Sequence, residues 1–71
     1  MGYDADNDQI RNDIDRFVNG RNAARNREIL KRRLIDGITF DKLAEEFGLS
    51  VPQTKLIIAK TSDQLFRNVR Y

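Results

Sequence analysis

The 71-residue chain contains no cysteine, no histidine and a single proline. Without cysteine there is no disulfide, no zinc–thiolate site and no thiol nucleophile. Without histidine the commonest acid–base residue and metal ligand is missing. No run approaches the roughly eighteen apolar residues that a membrane span needs. No basic-then-apolar signal segment opens the chain. Strand signals are also missing, since no alternating run or hairpin turn is present. These absences predict a non-enzymatic binding module of the cytoplasm, with no catalytic residue, no cofactor, no metal and no membrane partner. The length allows one domain with a modest core.

What is present is charge, and it is unevenly spread. The net charge is only +2. Residues 1–20 hold five acids and two bases, net −3, and residues 21–35 hold six bases and one acid, net +5. Residues 36–50 return to −3, and residues 51–71 to +3. Two basic blocks separated by an acidic one can join into a basic surface on folding. Solvated helix faces are the plainer account of such runs.

Apolar periodicity predicts four helices. Ile10, Ile14, Phe17 and Val18 share one helical face between about Asp6 and Asn19. Acids crowd the start of this helix, where the helix dipole favours them. The second helix spans about Asn22 to Ile35, with Ala23, Leu30 and Leu34 on one face and Ile29 and Ile35 flanking it. The third spans about Phe40 to Phe47, capped by Thr39, with Ile38 and Leu43 forming a hydrophobic staple. The fourth begins at Ser50, where Ser50 and Gln53 fit a capping box and Pro52 sits in the first turn. It continues to about Val69. The fold class is therefore all-α, a small four-helix domain.

Between Phe40 and Ala59 the pattern is that of a helix-turn-helix formed by the third and fourth helices. Ala44 lets the two helices approach, and Gly48 supplies the positive φ of a tight turn. Leu43, Phe47 and Leu49 provide apolar contacts, and Ile57 closes the core from the fourth helix. Such a pair normally places its second helix in the DNA major groove.

The match extends upstream. Arg27-Glu28, Leu30, Asp36-Gly37, Thr39-Phe40, Leu43-Ala44 and Leu49-Ser50-Val51, followed by Ala59-Lys60 and Leu65, resemble region four of bacterial sigma factors. The resemblance covers about Asn26 to Val69. It divides the chain into residues 1–20, an acidic amphipathic helix packed on the domain, and residues 21–71, the region-four-like helix-turn-helix. It implies a transcription-associated protein that binds duplex promoter-like DNA through the fourth helix, and RNA polymerase through the flap element. In that family, residues near the start of the fourth helix contact bases and phosphates. The matching positions here are Val51, Pro52, Gln53, Lys55 and Leu56. Primary sigma factors carry Arg, Glu and Gln at several of these places, so Val51, Pro52 and Leu56 depart from the pattern.

The DNA-binding candidates are Gln53, Lys55, Leu56, Lys60, Arg32 and Arg33. Gln53 suits adenine, while Lys55 suits guanine or a phosphate. Arg25, Arg27, Lys31, Arg32 and Arg33 are phosphate-contact candidates, though five residues on one helix cannot all point one way. Glu28 stands four residues before Arg32 as an alternative partner. In the run Leu56-Ile57-Ile58, turning Thr54, Ile57, Thr61 and Leu65 inward leaves Leu56 outward. An exposed leucine there suits either a thymine methyl or a protein partner. The alternative function is thus a protein-interaction module, for polymerase, a regulator or a second copy, without sequence-specific DNA reading. Residues 1–20 either complete a small core or shield the +5 block from phosphates. Asp4, Asp6, Asp8 and Asp15 have the spacing of a calcium loop. Gln9 replaces its glycine, Arg11 its apolar residue and Asp15 its final glutamate, so an acidic helix start is the better account.

Overall fold

Four helices follow one another: α1 (Gly2–Phe17), α2 (Ala23–Leu34), α3 (Phe40–Phe47) and α4 (Val51–Asn68). The computed structural model describes residues 2–69, with side chains from residue 7 onward. The Asp4 and Asp6 carboxylates and Arg70 lie outside the described residues. Among the described residues there is no acidic cluster able to hold a metal. No described helix is long and apolar enough to cross a membrane.

Packing is centred on α2 and α4, which meet each other and each meet both α1 and α3. The core cluster takes Ile14 and Val18 from the first helix and its exit, Ile29 and Leu30 from α2, Leu43 from α3, and Ile58 and Leu65 from α4. Ile10, Phe17, Ile38, Phe40, Phe47, Leu49, Ile57 and Val69 pack around it. The Cα radius of gyration is 11.8 Å, against about 11 Å expected at this length. All four helices share this one core.

Two burial patterns differ from the sequence expectation. On α2 the deeply buried pair is Ile29 and Leu30, while Leu34 is 37% exposed. Leu34 is the last residue of α2 and lies outside the core cluster. On α4 the inward residues are Thr54, Ile58, Thr61 and Leu65. Ile58, not Ile57, is thus the core isoleucine, and Ile57 lies half-buried on the flank. The spacing 4, 3, 4 keeps the four on one side of the helix. The two buried threonine hydroxyls are satisfied within the helix, Thr54 donating to the Ser50 carbonyl at 3.0 Å and Thr61 to the Ile57 carbonyl at 2.8 Å.

The first helix starts about four residues earlier than its periodicity predicts and ends two earlier, at Phe17. Its exit is shaped by Gly20 (φ 101°) and Asn22 (φ 61°). The carbonyls freed at its end find side-chain donors. Asn19 donates to the Arg16 carbonyl at 3.0 Å, and Arg27 Nε donates to the Val18 carbonyl at 2.7 Å.

A domain of this size has a total stability of about 4–10 kcal/mol. Leu43→Ala, at a site with no solvent exposure, is expected to cost about 2–5 kcal/mol. Urea unfolding measures this, and a loss below about 0.5 kcal/mol contradicts the assigned core. Deleting residues 1–20 removes Ile14 and Val18, and is expected to abolish cooperative unfolding. An unchanged transition would show that α1 is dispensable.

Candidate nucleic-acid interface

The site is built on the turn between α3 and α4. Gly48 adopts φ 66° and ψ 36°. The Leu49 N–H reaches back to the Ala44 carbonyl at 2.8 Å, and the Gly48 N–H to the Glu45 carbonyl at 3.4 Å. This pair of bonds is a Schellman closure, which satisfies the last carbonyls of α3 and reverses the chain. Ala44 is buried at this approach. On the other side of the turn, the Gln53 N–H donates to Ser50 Oγ at 3.2 Å, and the Ser50 N–H donates to Gln53 Oε1 at 3.0 Å. The expected capping box is therefore complete. The Thr39 cap of α3 is also present, accepting from the Lys42 N–H at 3.3 Å.

The capping box bears on Gln53 as a reader of bases. Its Oε1 also accepts from the Ser50 hydroxyl at 3.1 Å. Bidentate reading of adenine uses both the oxygen and the amide NH₂. In this geometry the NH₂ alone is free, so Gln53 acts first as a structural cap.

The expected cations divide into two sets. Arg32 pairs with Glu46 of α3. Its Nη2 donates to Oε2 at 2.9 Å, and its Nε lies 2.7 Å from Oε1 without the alignment of a hydrogen bond. The anticipated Glu28–Arg32 pair is not formed. Glu28 lies instead 3.6 Å from Lys31, which approaches Asp15 of α1 more closely, at 2.7 Å. An inter-helix carboxylate in reach displaces the weaker pair within α2, because a pair along one helix contributes only a few tenths of a kcal/mol. Arg33 Nη1 donates to the Ile38 carbonyl at 3.0 Å, and its guanidinium sits 4.4 Å from the centre of the Phe40 ring. Arg27 binds the end of α1 as described, with a further bond from Nη2 to Asn19 Oδ1 at 2.9 Å. Four cations of the +5 block are thus engaged internally.

The second set surrounds α4. Lys55 is exposed, with Nζ 5.6 Å from the Phe40 ring centre, on the same ring as Arg33. Lys60 is exposed and makes no ion pair among the described residues. It lines a groove of about 480 Å³ between α4 and the start of α2, together with Arg21, Arg25, Leu56 and Ile57. Leu56 itself is 55% exposed. Five residues at about 100° each place Lys55 and Lys60 roughly 140° apart around α4. Leu56 lies between them. The outer face of α4 therefore has cations on both flanks. Arg21, counted only as part of the basic block, was not singled out by sequence reasoning. Its signal is the Arg21–Arg25 spacing at the start of α2, ahead of the residues that bind other helices.

No protein-family model, curated protein or solved structure matches the chain.

A Cβ at Gly48 meets nothing within 4 Å, so Gly48→Ala isolates backbone strain. It is expected to cost about 1–2 kcal/mol, and Ser50→Ala about 1 kcal/mol. Denaturant midpoints check both. A neutral Gly48→Ala contradicts the left-handed turn.

Proposed function

We propose that the chain is a DNA-binding module, with α4 laid into the major groove of duplex DNA. The observation that carries the reading is the exposed face of α4 around Leu56, bordered on each flank by exposed lysines held on a closed helix-turn-helix. A helix in the major groove passes between two phosphate strands, so cations on both flanks suit that position. Lys55 and Arg33 meet at Phe40 on one flank, and Lys60 stands on the other.

Within this reading the base-facing groups are few. Leu56 can touch a thymine methyl, and the Gln53 NH₂ can donate to a base edge. Affinity therefore comes mainly from phosphates, with weak discrimination among sequences. The resemblance to sigma region four places such a module in transcription, on promoter-like DNA, with RNA polymerase as a protein partner. The chain acts as a binding protein of the cytoplasm rather than as an enzyme.

Leu56 also favours a second reading. A large apolar side chain at the centre of an exposed helix face suits a protein surface. In that case α4 docks on the polymerase flap, a regulator or a second copy.

Titration of a labelled random duplex separates the two. Binding at low salt is expected, weakening as salt rises, and Lys55→Ala should weaken it about five- to tenfold. No binding at low salt rejects the DNA reading. Sedimentation with and without the polymerase flap tests the second, and a monomer indifferent to the flap rejects it.

A further inference from the structure

The groove beside α4 is lined by three cations from two elements: Arg21 and Arg25 around the start of α2, and Lys60 on α4. Arg21 and Lys60 are exposed and make no ion pair among the described residues. Arg25 is half-buried and bonded only to the neutral Asn26 side chain, at 3.2 Å from Nε. The one acid on the groove wall, Asp63, is held by Arg67 at 2.9 Å. The groove is thus cationic with little internal neutralisation, in contrast to Lys31 and Arg32, which face carboxylates.

Its support is rigid. Arg21 sits in the turn between Gly20 and Asn22, both with positive φ. That turn is closed by the Ala23 N–H on the Gly20 carbonyl at 3.2 Å. Behind it, Arg27 holds both Val18 and Asn19. The braced turn fixes the backbone that carries Arg21, α2 fixes that of Arg25, and the guanidinium fork matches the two free oxygens of a phosphodiester.

We propose that Arg21, Arg25 and Lys60 form a phosphate clamp for one strand of duplex DNA, running along the α2 flank of α4. This rests on the proposed function, since Leu56, Ile57 and Lys60 join the groove to the outer face of α4. A strand bordering a major groove filled by α4 runs along that flank. The clamp contacts backbone alone, so it fixes the register of α4 without reading sequence.

The test is a salt series on one random duplex, with the wild type, Arg21→Ala/Arg25→Ala and Arg21→Lys/Arg25→Lys. Each lost phosphate contact flattens the log–log salt slope by about 0.9. The alanine pair is therefore expected to flatten it by about 2 and to weaken binding at least tenfold at low salt. The lysine pair should keep the slope. The arginines bond no carboxylate, so the unfolding midpoint should not move. Wild-type binding with an unchanged slope in the alanine pair overturns the clamp and leaves the DNA reading standing. No wild-type binding at low salt overturns both. Poly-glutamate that binds the wild type but not the alanine pair, with duplex binding equal in both proteins, assigns the groove to an acidic peptide and overturns the phosphate strand.

Discussion

The fold rests on α4 and α2, each of which meets the other three helices, and α2 adds polar ties to its apolar packing. Its apolar residues Ile29 and Leu30 are fully buried, and four of its cations are tied to other elements. Arg27 holds the exit of α1, and Lys31 approaches Asp15 of α1. Arg32 meets Glu46 of α3, and Arg33 binds the loop before α3. Half-exposed ion pairs contribute at most about 1 kcal/mol each. Their larger effect is to fix where α1 and α3 sit around a small core.

That arrangement decides which charge is left for a partner. The cations nearest the centre of α2 are engaged with other elements, whereas Arg21, Arg25, Lys55 and Lys60 make no ion pair among the described residues. Lys55, Lys60, Arg21 and Arg25 border the exposed face of α4. The helix-turn-helix orients this face through the Gly48 turn and the Ser50 box, and both act on the backbone. In the proposed reading, α2 plays two parts along its length. Its start meets DNA phosphates, and the rest binds its own protein.

Local rules made much of the fold legible in the sequence. Thr39, Gly48, Ser50, Gln53 and Pro52 act on neighbours one to five residues away, so the bounds of α3 and the start of α4 follow from them directly. The exchange of Ile57 for Ile58 was not legible. Both fit an apolar stripe, and the choice depends on the angle at which α4 meets α1 and α2. The partners of Arg32 and Lys31 were hidden for a similar reason. Glu46 and Asp15 lie fourteen and sixteen residues away along the chain, and only tertiary packing brings them close. Gln53 shows the opposite case, where one residue fits two local patterns, a cap and a base reader. The closed box resolves its local role.

The partition of cations is the central claim, and the arginine Nε–H resonances test it most directly during titration with duplex DNA. Arg21 and Arg25 are predicted to shift with bound DNA, while Arg27 and Arg32 keep their free-state positions. Shifts at Arg27 and Arg32 with Arg21 and Arg25 unmoved would contradict the account.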